Sequence, residues 1–112
     1  MKVYAGLLAG LILCAAGSTA RSNPSPEKPP SPQEFDKGKE LFSEICSHCH
    51  GPEMVNPGDV SFDLRKFPHD DRARFFHSVM YGKNNMPPWK DVLKPEEIEA
   101  IWAYVRTGGH RP

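Results

Sequence analysis

Cys46, Cys49 and His50 stand in the run Cys46-Ser47-His48-Cys49-His50, and that spacing suits one chemistry above its competitors. Two thiols three residues apart can add across the two vinyl groups of one porphyrin and tie its edge to the backbone. The histidine directly after the second cysteine then sits under the ring, where its imidazole can ligate iron from the proximal side. The run is therefore read as the attachment site of one covalent haem c, with Cys46 and Cys49 as thioether donors and His50 as an iron ligand. A dithiol redox pair needs no such histidine and belongs near a strand–helix–strand pattern, which is lacking here. A zinc-binding module would need further Cys or His ligands at ordered spacing, and there is no second C-x-x-C.

The elements that must position these residues read as helices. Ser31-Pro32-Gln33-Glu34 forms a capping box with proline at the first helical position. The apolar face then runs through Phe35, Leu41, Phe42 and Ile45, with Gly38 on the same side. Glycine in a helix interior costs about 1 kcal/mol against alanine, so Gly38 marks either a close approach of another helix or a tolerated weak spot. A second helix is expected from Asp70 as N-cap, carrying Ala73, Phe76, Val79 and Met80 inward and ending at Gly82. A third opens on Pro95, with Glu96 and Glu97 in its first turn where the helix dipole favours acids. It places Ile98, Ile101, Trp102 and Val105 at helical spacing and stops at Thr107-Gly108-Gly109. Pro52, Pro57, Gly58 and Pro68 make the stretch after His50 mostly loop.

Composition bounds the remainder. The chain has 112 residues, with 14 Lys and Arg against 14 Asp and Glu. That balance argues against a nucleic-acid binder. Met1-Lys2, the apolar run from Val3 to Ala16 and the small residues Ser18-Thr19-Ala20 read as a signal peptide over residues 1–20, cleaved after Ala20. The apolar run is short for a bilayer span, so no permanent membrane anchor is expected. Cys14 falls inside this segment, and Leu13 before it is a poor fit to a lipidation site. Residues 21–30 are rich in Pro and Ser and are expected to be a flexible linker. The folded domain is expected over 31–112. Export agrees with the motif, because c-type haem is attached outside the bacterial cytoplasm, and the expected location is the periplasm.

Gly38 with Leu41-Phe42 ahead of the Cys46-to-His50 motif, Gly82 followed by Met86-Pro87-Pro88-Trp89, and a last helix bearing Tyr104-Val105 together resemble the class I c-type cytochromes with a single haem. The resemblance covers nearly all of Ser31 to Gly109. It implies an all-α fold of about three main helices wrapped around one covalently attached haem, with the first and last helices crossing near Gly38 and Tyr104. It also implies an electron carrier rather than an enzyme.

Met86 matches the family position of the distal iron ligand, and Pro87-Pro88 would stiffen the chain behind its thioether. Met80 is better explained as a core residue, and Met54 follows His50 too closely to cross to the far face of the ring. With His50 and Met86 both bound the iron has no open position, the physical basis for electron transfer. A labile sixth ligand would instead make the protein a haem enzyme or a ligand-binding sensor. By likeness to relatives, the carbonyl of Pro57 is expected to orient His50. Trp89, Arg65 or Lys66 are candidates to neutralise or hydrogen-bond the haem propionates, with loop packing or solvated charge as the alternative for each. Phe62 to Asp71 and Gly82 to Trp89 are similar to small periplasmic cytochromes associated with PQQ-dependent alcohol dehydrogenases. The implied partners are such a dehydrogenase as electron donor and a terminal oxidase or another cytochrome as acceptor, met by a monomer. A donor is expected to dock at the haem edge near Cys46, Cys49 and the methionine loop. Lys83, Lys90 and Lys94 against Asp91 make that loop mildly basic, so Lys83 and Lys90 would steer an acidic donor.

Overall fold

The computed structural model describes residues 26–56, 58 and 61–112. The expected signal segment, Cys14 and residues 21–25 of the expected linker lie outside the described residues. Helix α1 (Pro32–Leu41) runs through a π-helical turn (Phe42–Cys46) into the short α2 (Ser47–His50), and α3 (Arg72–Tyr81) and α4 (Pro95–Arg106) follow. Among the described residues the regular structure is otherwise confined to two single 3₁₀ turns and one bridge between Lys83 and Met86. The fold is all-α, and its three long helices are those expected.

The start of α1 is the capping box. The Ser31 hydroxyl accepts from the Glu34 amide at 3.2 Å, and the Glu34 carboxylate accepts from the Ser31 amide at 2.7 Å. Ser31→Ala should cost about 1 kcal/mol, read as a lower midpoint of thermal unfolding. The bond from the Ser31 amide foremost, and then one that the Ser31 hydroxyl donates to the same carboxylate at 2.8 Å, hold the Glu34 carboxyl below its ordinary range. A carboxylate favoured in the folded state adds stability above its unfolded pKa, and that contribution is lost as pH falls through the folded value. Glu34→Gln should therefore flatten the acid side of the stability curve.

Helices α1 and α4 cross at Gly38. A Cβ on Gly38 would lie 1.8 Å from the Ala100 carbonyl oxygen and 3.1 Å from Tyr104 Cβ. Close approach, not tolerance of a weak residue, accounts for this glycine. Around the crossing, the Tyr104 ring meets Phe35 at 5.4 Å and Phe42 at 5.2 Å between centroids. On the α3 side, Trp102 is fully buried and meets Phe75 at 5.0 Å and Phe67 at 6.0 Å.

Helix α3 departs from expectation by one residue. Its N-cap is Asp71, whose carboxylate accepts from the Arg74 amide at 3.2 Å, rather than Asp70. Phe75 and Val79 are its buried residues, Phe76 and Met80 are half-buried, and Ala73 is exposed. One position around a helix is about 100° of rotation, and the ring of Phe75 against Trp102 decides which face turns inward.

Residues 26–30, expected as linker, lie along α4. The Glu27 carboxylate accepts from the Trp102 indole N–H at 3.1 Å, and the Lys28 carbonyl accepts from the Arg106 guanidinium.

Candidate haem site

The first helix delivers the motif through its irregular end. In the π-helical turn the Ser47 amide bonds back five residues to the Phe42 carbonyl. Such widened turns are frequent at functional sites. Cys46 closes this turn, half-buried, and Cys49 is exposed one helical turn later. Burial, helped by the neighbouring Cys49 sulfur, pushes the Cys46 thiol up to about 12. Such a raised thiol is the opposite of the low-pKa thiolate that dithiol exchange requires.

His50 is half-buried and ends α2. Its Nδ1 lies 3.1 Å from the Phe62 carbonyl oxygen. A carbonyl only accepts, so Nδ1 carries the proton and Nε2 keeps its lone pair free. Burial lowers the pKa of the imidazole, against the opposing pull of the Phe62 bond, and so favours the neutral, ligating form. The loop that brings Phe62 here is tied down on both sides. The Ser61 hydroxyl donates to the Cys49 carbonyl at 2.7 Å, and the Asn56 side chain donates to the Ser61 carbonyl. Pro57, expected to supply the carbonyl on His50, lies outside the described residues, and the carbonyl the ring meets is that of Phe62.

Met86 is held by a tight turn over 83–86. Its amide donates to the Lys83 carbonyl at 2.9 Å, and its carbonyl accepts from the Lys83 amide at 3.1 Å. Asn84 takes a left-handed backbone, φ +53°, inside the turn. Gly82 leads in at φ +76°, where a Cβ would stand 2.5 Å from the Met86 carbonyl oxygen. The turn is also pinned to α3, with the Trp89 amide on the Val79 carbonyl at 2.9 Å and the Lys90 amide on the Met80 carbonyl at 3.3 Å. Met54 is fully buried, with its methyl against Gly109.

The donor set and its surroundings fit the haem that the motif implies. Ile45, Cys46, Leu64, Phe76, Met80, Met86 and Trp89 all pack on the core cluster, yet each remains half-covered. In so small a domain, this many incompletely covered large apolar side chains suit packing against the apolar body of a porphyrin. Arg65 is exposed and forms a two-pronged ion pair with Asp63, at 2.9 and 3.0 Å. Among the described residues no group of three or more His, Cys, Asp and Glu is drawn together as a purely side-chain metal site would need.

Two of these features had no signal in the sequence. The Phe62 contact uses a backbone oxygen that every residue carries, and the part played by Ser61 depends on where the loop folds back.

Comparison with known proteins agrees with this geometry. A family model described as cytochrome c oxidase, cbb3-type, subunit III matches residues 33–105. The chain is 37% identical over 78 residues to the quinohemoprotein alcohol dehydrogenase ADH IIB of Pseudomonas putida, a match covering 67% of this chain and 11% of that protein. It is 38% identical over 72 residues to cytochrome c6 of Nostoc sp. PCC 7120, covering 61% of this chain and 65% of the relative. The chain thus spans only a small part of the first of these and just under two thirds of the second. The crystal structure of cytochrome c6C from Synechococcus sp. PCC 7002 superposes with a TM-score of 0.50 at 26% identity, over 64% of this chain and 93% of that one.

Proposed function

The chain belongs to the cytochrome c family, with its haem covalently bound, and on that premise we propose that it is a periplasmic electron carrier. The observation that carries the reading is the bond from His50 Nδ1 to the Phe62 carbonyl, beside the two cysteines, which leaves Nε2 directed by a fixed ring. In this reading Cys46 and Cys49 hold the haem by thioethers, His50 Nε2 is the proximal ligand and the Met86 thioether the distal one. The bound haem supplies a one-electron Fe(III)/Fe(II) couple, which histidine–methionine ligation places at higher potential than two histidines would.

The chain's part is to hold still. The Phe62 carbonyl fixes the imidazole, and the closed 83–86 turn fixes the methionine, so little reorganisation accompanies gain or loss of an electron. The half-covered Ile45, Leu64, Phe76, Met80 and Trp89 would offer the haem an apolar surface to pack against. A turn closed by two backbone bonds also argues against a labile Met86, and so against a haem enzyme or sensor. Trp89, with its half-buried indole, is the better placed propionate neighbour, because Arg65 is already engaged by Asp63.

Residues 1–20 would act as the export signal, 21–30 as the connection and 31–112 as the cytochrome domain. A quinoprotein alcohol dehydrogenase is the proposed donor, on the likeness to ADH IIB, and a terminal oxidase or a further cytochrome the acceptor. The protein would meet them as a monomer. Among the described residues no helix is long and apolar enough to cross a membrane.

The test is attachment. Protein expressed with export and haem-attachment machinery should keep its haem through acid–acetone extraction and denaturing electrophoresis. The double variant Cys46→Ala, Cys49→Ala should lose all of it. Haem released from the wild type, or zinc in its place, overturns the reading.

A further inference from the structure

The outer face of α3 carries Arg74, His77, Ser78 and Tyr81, a stripe at positions i, i+3, i+4 and i+7, opposite the buried Phe75 and Val79. Arg74, His77 and Ser78 line a groove of about 450 Å³ whose far wall is Gly82 and Lys83. Tyr81 at its edge is 57% exposed, a large ring left in solvent, and stands 5.1 Å from the His77 ring.

The charges of this groove are not spent inside the molecule. Among the described residues, Lys37, Lys39, Arg65, Arg72, Lys90 and Arg111 each pair with a carboxylate within 4.0 Å. Arg74 and Lys83 do not. The Arg74 guanidinium instead sits over the Phe67 ring, 5.0 Å from its centroid, which steadies it without neutralising it. Lys90, expected from the sequence to share the basic patch with Lys83, is compensated by Asp91 at 3.3 Å. Lys66 and Lys94 are likewise unpaired among the described residues but do not line this groove, whose own unpaired cations are Arg74 on α3 and Lys83.

Lys83 is also the backbone partner of Met86 at both ends of its turn, so whatever binds this groove stands one tight turn from the proposed iron ligand. We propose that Arg74, His77, Ser78, Tyr81 and Lys83 form a docking surface for an acidic segment of a redox protein partner. The inference rests on the electron-carrier reading. Exposed cations without internal partners attract a carboxylate surface and orient it, and the exposed tyrosine beside them offers an amphipathic contact, while the small area suits a weak, short-lived encounter.

Titration of the reduced holoprotein with a hexaglutamate peptide at low salt, followed by amide NMR, tests this. Shifts should cluster over residues 74–83. The variant Lys83→Glu, and separately Arg74→Gln, should weaken binding about tenfold, as several-kT surface charge effects do. Lys90→Glu should change it less than about twofold, since that charge is already paired. The absorption spectrum is recorded first on the same sample. A sample without covalent haem overturns the electron-carrier reading and this proposal with it, whereas an intact spectrum with no peptide response overturns the docking surface alone. Equal weakening by Lys90→Glu, shifts centred elsewhere, or the same shifts from inorganic phosphate at matched ionic strength, which would mark a small-anion site, also overturn it.

Discussion

Gly38→Ala should destabilise this protein severely, although the helix alone would prefer alanine. Two effects of opposite sign act at this position. Helix propensity favours alanine over glycine by about 1 kcal/mol. Against that, the new Cβ would lie 1.8 Å from the Ala100 carbonyl oxygen, a backbone atom that no rotamer change can move. Relief requires α1 and α4 to part at their crossing, and parting opens the contacts of Tyr104 with Phe35 and Phe42. Overpacking typically costs 1–3 kcal/mol and occasionally more, and an overlap with backbone belongs at or above the top of that range. Packing wins, with a net loss of about 2 kcal/mol or more. For a domain of this size that lowers the unfolding midpoint by more than about 10 °C. Thermal unfolding of the holoprotein checks the sign directly. A variant as stable as wild type would mean that the helices do not cross at Gly38.

The second large effect is chemical. Met86→Ala should abolish the weak far-red absorption band of sulfur bound to ferric iron. It should also lower the potential on the order of 0.1 V, a fraction of the roughly 0.8 V that axial ligands span. Met80→Ala should keep the band. Its half-buried side chain packs on the core, so its loss should cost about 2 kcal/mol, the low end of the range for core truncation. Met54→Ala should also keep the band and cost more, since that side chain is fully buried. Difference spectra and redox titration of the three variants separate ligand from core. A band that survives in Met86→Ala and vanishes in Met80→Ala reassigns the distal ligand.

The motif from Cys46 to His50, the Ser31 capping box, the proline that opens α4 and the Gly82-to-Pro88 segment were all readable without coordinates. Each is a local device in which residue type and spacing along a few residues do the physical work: two thiols matched to two vinyls, a hydroxyl to a free amide, a proline to a helix start. The likeness carried by Gly38 and Tyr104 extended this to the α1–α4 crossing. Gly38 was flagged as a weak helix former, but whether it marked a contact or a tolerated flaw rested on Ala100, sixty-two residues away in the sequence.

Tertiary structure alone decided what depends on atoms brought together from afar. The imidazole of His50 is oriented by the carbonyl of Phe62, and a backbone carbonyl leaves no mark in a sequence because every residue has one. Read from the sequence, the cap of α3 falls at Asp70, and the structure places it at Asp71. Only the packing of Phe75 on Trp102 selects the second and turns Ala73 out to solvent. Glu27 lies in a stretch whose composition says linker, yet its carboxylate takes the indole proton of Trp102, a partner seventy-five residues away in the chain. The distribution of charge follows the same rule. Lys83 and Lys90 look alike in the sequence, yet Lys90 pairs with its neighbour Asp91 while Lys83 lines a groove with Arg74 and His77 of α3. Local chemistry is written in residue types, whereas the direction of a lone pair, the face of a helix and the net charge of a patch are sums over neighbours that only the folded chain supplies.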